Sequence, residues 1–241
     1  MARKAAGPKV LAPTAGDGFR GFGSQALPFL AALAANNDRE WFAPNKATYL
    51  DECDAPMRQL VAAIGAGLAA RGVPLAPQPR NPVFRIYRDV RFAKDKSPYK
   101  THLGAALHPD GDKARPGLLY IHVAPGGSFM GVGYYEPEAP LLKRFRAAIA
   151  DDPAGFGHLV DQLEAAGLTL DAGEPLARMP RGFEAFANSP VAAALRKRSW
   201  VATRPIPDED LERHDLPAVA VDFAVAARPL LDYFGGLVES A

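Results

Sequence analysis

Disulfides, membrane spans and a global charge field are all missing from this chain. Cys53 is its only cysteine, so no intramolecular disulfide can form. Its apolar stretches fall far short of the roughly 20 residues a membrane helix needs. The first ten residues are basic and carry no apolar leader segment. These absences predict a cytoplasmic protein with no membrane partner. The formal net charge is +1. Any site for an acidic ligand or for nucleic acid must therefore come from local clustering of charge.

The common chemical motifs are missing too. None of the five histidines pairs as H-x-x-x-H, and no second cysteine could join them, so no metal site is expected. No G-x-S-x-G elbow and no G-x-x-x-x-G-K phosphate loop occurs. The string Gly16-x-Gly18-x-x-Gly21 follows no strand and opens no βαβ unit, so no dinucleotide or other cofactor is expected. Cys53 stands among Asp51, Glu52 and Asp54, whose charges disfavour a thiolate. No catalytic residue can be assigned, and whether the protein is an enzyme stays open.

What is present is ordinary globular text, 48% hydrophobic and 23% charged. Residues 1–17 lack periodicity and read as a flexible tail, and 18–241 as a single α+β domain. Leu27, Leu30 and Leu33 mark a first helix. Asn37, with Glu40 three residues on, reads as the cap of a second, and Pro44 as the first turn of a longer helix toward Ala70. Trp41, Asn45 and Tyr49 form one stripe of it, with the two aromatics expected in the core. Pro74, Pro77, Pro79 and Pro82 predict a stiff extended connection. An antiparallel meander is expected over about 83–135, with strands at Val83–Phe92, Thr101–His108, Leu118–Ala124 and Ser128–Tyr135. Helices return after Pro137, and Pro229 should kink or restart the last one. The fold class is thus α+β, an antiparallel meander packed against N- and C-terminal helices.

One segment departs from the average. Arg80, Arg85, Arg88, Arg91, Lys94, Lys96 and Lys100 stand against Asp89 and Asp95, a local charge of +5 in a chain of +1. Period-two placement puts Arg85, Tyr87, Asp89 and Arg91 on one strand face and Phe84, Ile86, Val90 and Phe92 on the other. Arg88 falls on the apolar face, so either a bulge turns it outward or a carboxylate from another element pairs with it in the core. Guanidinium forks and ammonium groups of this kind suit phosphate or carboxylate oxygens. Gly104, Gly131 and Gly133 remove side chains from strand interiors nearby, as close approach of a ligand or side chain requires. His122, on the face of Tyr120, is a structural histidine unless it nears the basic strand, where it could serve as acid or base.

Several blocks resemble a known family. They are Asn36-Asn37-x-Arg39-Glu40-Trp41-Phe42 with Asn45-Lys46-x-x-Tyr49, and Arg85-x-Tyr87-Arg88-Asp89-x-Arg91-Phe92-x-Lys94-Asp95-Lys96-x-Pro98-Tyr99-Lys100-Thr101. Gly131-x-Gly133-Tyr134-Tyr135, Pro180-Arg181-Gly182-Phe183 and Leu195-Arg196-x-Arg198 follow. Together they are similar to the domain of unknown function numbered 2461, over about Gly18 to Leu237. The resemblance implies one domain across most of the chain and brings no activity with it.

Three functional readings remain. The first is a site for a small anionic, phosphorylated ligand, with or without catalysis. Arg85, Arg88, Arg91, Lys94, Lys96 and Lys100 would hold the anion, and Asp89 would orient a guanidinium. Tyr87 and Tyr99 would form walls, and Asn45 would reach in from the helix. The second is a nucleic-acid surface, in which Tyr87, Phe92 and Tyr99 stack bases between cations. The third is an ion-pair network with no ligand. A deep pocket would favour the first and an open basic groove the second.

Overall fold

The computed structural model of the protein describes residues 18–171 and 173–239, and the side chains of all but Asp171 and Glu239. The tail expected at 1–17, and with it Gly16, lies outside these residues. Leu30 and Leu33 bury one side of α1 (Ala26–Ala35) completely. Asp38, not Asn37, caps α2 (Arg39–Thr48) by accepting from the Trp41 amide at 2.7 Å. Pro44 does not begin a new helix but sits inside α2. The chain then widens into a π-helical turn over Tyr49–Asp54 before α3 (Ala55–Ala70). Pro56, near the start of α3, explains the widening: it has no amide to donate and its ring would crowd the carbonyl of Glu52. Tyr49 is buried as expected, and Trp41 half-buried.

Six strands form one antiparallel sheet in the order β1-β2-β3-β4-β6-β5. They are β1 (Leu75–Pro77), β2 (Leu103–Pro109), β3 (Leu118–Val123), β4 (Phe129–Tyr134), β5 (Leu170–Asp171) and β6 (Trp200–Pro205). Helices α4 (Ala139–Asp151), α5 (Pro153–Ala165) and the short α6 (Ala192–Leu195) separate β4, β5 and β6. After β6 come α7 (Leu216–Ala226) and α8 (Arg228–Glu239), and the restart falls at Pro229 as anticipated. The architecture is the expected α+β meander with flanking helices. Among the described residues no helix is long and apolar enough to cross a membrane.

The expected first strand, Val83–Phe92, does not form. Residues 83–88 run along the edge of β2, but only as isolated bridges, Val83 to Ala105 and Tyr87 to Tyr99. β1, by contrast, arises inside the proline-rich stretch read as a mere connection. Three residues separate Val83 from Tyr87, whereas five separate Tyr99 from Ala105. The Lys100 amide still donates to the Ile86 carbonyl and the Phe84 amide to the Gly104 carbonyl, so the two surplus residues bulge out within Thr101–Leu103, and Pro98 lacks the amide that would extend the ladder. Beyond Arg88 the chain turns through 89–97 and returns.

Leu103, Ala105, Leu107, Leu119, Ile121, Val123, Met130, Val132, Tyr134, Trp200 and Ala202 are all buried on one sheet face. α3 packs on β1 and β2, and α8 on β4. Phe145 of α4 and Phe234 of α8 stack at 4.2 Å, and Trp200 of β6 lies 5.3 Å from Phe234. Tyr134 completes the cluster, donating its hydroxyl to the Leu231 carbonyl at 2.9 Å. Gly133 allows β4 and β6 to meet here. Its φ is +142°, and a Cβ would sit 2.1 Å from the Trp200 carbonyl oxygen. Gly133→Ala should cost about 3 kcal/mol or more, combining backbone strain with overpacking. Gly126→Ala, at a positive φ with open space around it, should cost only about 1 kcal/mol. Urea denaturation of the two variants checks the difference.

Candidate functional site

The other face of the sheet is left open. It carries His102, Gly104 and Ala106 on the β2 side, Tyr120 and His122 on β3, Phe129 and Gly131 on β4, and Thr203 on β6, in cross-strand register. Its larger side chains, Tyr120, His122, Phe129 and Thr203, are only half-buried. Gly104 has a clear reason here. A Cβ on it would lie 2.9 Å from Tyr120 Oη and 3.2 Å from a Phe84 ring carbon, so glycine lets both rings settle on the strand.

The rings on this face form a row. Phe84 stacks on Tyr120 at 6.1 Å, Phe129 stacks on His122 at 4.9 Å, and His122 stacks on His102 at 4.4 Å. Tyr120 Oη and His122 Nδ1 lie 3.1 Å apart and share a hydrogen bond. A cation comes from the residue next to the bulge: the Lys100 ammonium rests 5.4 Å from the centre of the Phe84 ring.

The hairpin tip is held by its own charges. Asp89 accepts from Arg91 Nε at 2.9 Å and Nη2 at 2.6 Å. Asp95 accepts from the Ser97 amide at 2.9 Å and hydroxyl at 2.6 Å, and pairs with Arg88. These partners hold its carboxyl well below the usual range, Ser97 most of all. Lys96 donates to the Val90 carbonyl at 3.0 Å. The base of the hairpin is tied to the helices by Asn37. Its amide donates to the Tyr99 carbonyl and accepts from the Tyr99 amide, both at 3.0 Å. Tyr99 itself is buried and stacked 4.2 Å from Phe42.

The expected site residues therefore divide. Arg88 is neither turned fully outward nor paired in the core. Its side chain is 29% exposed, and its partner Asp95 belongs to the same hairpin, not to another element. Arg91 is committed to Asp89, Tyr99 is core, and Tyr87 leans half-exposed against Tyr99 and Phe42. Asn45 spends its amide on the Trp41 carbonyl of its own helix at 2.8 Å, and nothing joins it to the hairpin. Lys94 is exposed at the tip. Phe92, assigned to the apolar face, is 94% exposed, and Phe84 is 43% exposed.

Lys100 has no carboxylate partner among the described residues, Arg85 makes no ion pair but acts at longer range on Asp89, and the two lead to a pair of histidines. Lys100 is shifted down by burial and by Arg85, and His102 by burial and by Lys100. His122 is pulled down to about 4 by burial and by His102. A row of basic side chains thus runs from the hairpin base onto the open sheet face, its cations at the hairpin and its two imidazoles held neutral. Beside it lies a cleft of about 340 Å³ bordered by Asn37, Arg88, Asp95, Ser97, Lys100 and His102. A larger cleft of about 630 Å³ lies between the β2–β3 turn and α4. Its lining mixes both signs, Lys113, Arg115 and Arg144 with Glu136 and Glu138; Arg115 pairs with Asp110, and Glu136 faces Arg198 at 3.7 Å. The smaller cleft is the candidate site because it joins the basic hairpin to the ring-bearing face, with Lys100 and His102 both on its border. His102 was the residue the sequence reading passed over. Its signal was its place two residues before Gly104, on the face that Tyr120 and His122 share.

Residues 25–233 match the family described as a conserved hypothetical protein (DUF2461). The chain belongs to this family. No curated protein and no solved structure matches it. The DUF2461 match spans every residue placed at the cleft and on the open face. It also spans blocks with a structural role: Arg146 of α4 is buried and donates to the Lys197 carbonyl at 2.8 Å, anchoring the approach to β6. Among the described residues no three His, Cys, Asp or Glu side chains are grouped to hold a metal ion. Cys53 is fully buried, its thiol pushed up to about 12 by burial and then by Glu52 and Asp54.

Two outcomes follow for this DUF2461 member. Arg88→Ala should cost only about 0–1 kcal/mol, as for a solvent-screened pair, well below the loss from breaking a buried one. Chemical denaturation against wild type and Lys96→Ala measures it. His122 has a folded pKa below the free imidazole value of 6.5, so the unfolded chain binds more protons between pH 6.5 and about 4. Its contribution to stability is complete above pH 6.5 and is lost as the pH falls toward 4. The denaturation midpoint of a His122→Phe variant should drop less across that window than that of wild type.

Proposed function

We propose that this protein binds a small anionic, phosphate-bearing ligand in the cleft between the basic hairpin and the open sheet face. The observation that carries this reading is Lys100, a half-buried residue bordering the cleft without a carboxylate partner among the described residues, beside Arg88 and repelled by Arg85. An anion there offsets that repulsion and accepts hydrogen bonds from lysine and guanidinium donors. Arg88 shares its remaining donors while held in place by Asp95. The cleft volume falls within the range of small-molecule sites.

Thermal denaturation with inorganic phosphate, pyrophosphate and sugar phosphates tests the reading. At a hundredfold excess over Kd the melting temperature of wild type should rise by about 5–10 °C. Lys100→Ala should abolish the rise, and Arg91→Ala, whose guanidinium is committed to Asp89, should keep it. No rise with any anion in wild type rejects the site.

A second reading, a nucleic-acid surface, draws on Phe92. This ring is 94% exposed at the hairpin tip, with the Arg91 guanidinium 5.8 Å from its centre and Lys94 two residues on. It would be supported by binding of single-stranded oligonucleotides that weakens steeply with salt and is reduced in Phe92→Ser. Its absence at low salt removes it.

A further inference from the structure

The ring row has an end, and that end is in the cleft. Phe129, His122 and His102 stack in sequence, with interplanar angles of 21° and 29°. His102 is covered by His122 on one side and borders the cleft alongside Lys100 and Arg88. Nothing in the fold of the sheet demands this column. The bulge within Thr101–Leu103 adds two residues to the β2 side, and the residue before it, Lys100, and one within it, His102, border the same cleft. Bulges re-aim side chains in this way beside functional sites. A ligand that used both would need a flat unsaturated ring and a phosphate held a short distance apart.

We infer that the cleft takes a nucleotide, its base stacked on His102 as the next ring of the column and its phosphate held by Lys100 and Arg88. The inference rests on the anion-binding reading and names the class of ligand for that same site. Base-on-ring stacking tolerates any base, because each has a π-face, so the recognition is of aromatic phosphate and not of one base. The neutral state of His102 supports the arrangement, since burial and Lys100 both lower its pKa and an uncharged imidazole is the softer stacking surface.

Isothermal titration of the full chain with AMP, ribose 5-phosphate and inorganic phosphate tests the inference. AMP should bind about tenfold or more tightly than ribose 5-phosphate, the gain that stacking one base provides. His102→Ala should remove that margin and leave ribose 5-phosphate binding unchanged. His102→Phe, which restores a flat ring, should recover it, and circular dichroism confirms that both variants fold. Lys100→Ala should weaken all three ligands together. Equal affinity for AMP and ribose 5-phosphate overturns the nucleotide inference and leaves the anion site standing. Failure of all three to bind wild type overturns both. Binding of a short single-stranded oligonucleotide without binding of AMP overturns the inference in favour of a polymer surface.

Discussion

One-sided burial of the sheet governs this structure. Strands β2, β3, β4 and β6 each turn alternate residues into the helices, and the Trp200, Phe145 and Phe234 cluster locks that face to α4 and α8. Alternation is strict in a strand, so every residue between the buried ones must face the other way. Covering one face with helices therefore creates a second face whose content is free to be something other than core. In this chain that content is rings, glycines and two histidines.

The open face and the basic hairpin meet because of a mismatch in length. With two residues fewer between Tyr99 and Ala105, residues 83–88 could continue as a regular edge strand. The surplus is absorbed within Thr101–Leu103, close to the point where Asn37 holds the Tyr99 backbone to the turn between α1 and α2. The clamp fixes one end of the bulge and β2 fixes the other. Lys100 and His102 are thereby confined to a short, well-anchored piece of chain. Binding groups on such a piece lose little freedom on meeting a ligand, which is the general advantage of a preorganised site.

Charge in the hairpin plays two parts that composition does not separate. Asp89 and Asp95 are spent on Arg91 and Arg88 and on shaping the turn. These pairs are solvent-screened and worth little energy, but they remove the carboxylates that would otherwise neutralise the base of the hairpin. The surplus positive charge is left at Lys100, near Arg85 and beside a neutral His102. A segment of +5 is thus a shaped tip and an unbalanced base, and the second is where an anion has something to gain.

Much of the architecture was legible in the residues themselves. The leucine spacing of α1, the alternation in β3 and β4, and the proline at the start of α8 each act over a few residues, so local pattern determined them. The same holds for the exclusion of disulfides and for the +5 charge of 80–100. What local pattern could not decide was pairing at a distance. Whether 83–92 becomes a strand depends on the count of residues returning from Tyr99 to Ala105. Whether Arg88 or Lys100 lacks a carboxylate depends on how the turn folds its aspartates inward. His102 reads as one more strand residue until cross-strand register lays it on His122. Sequence determines which groups a chain owns and the period of its strands and helices. Only the tertiary structure decides which of those groups are already satisfied, because a hydrogen bond or an ion pair is a property of two places in space.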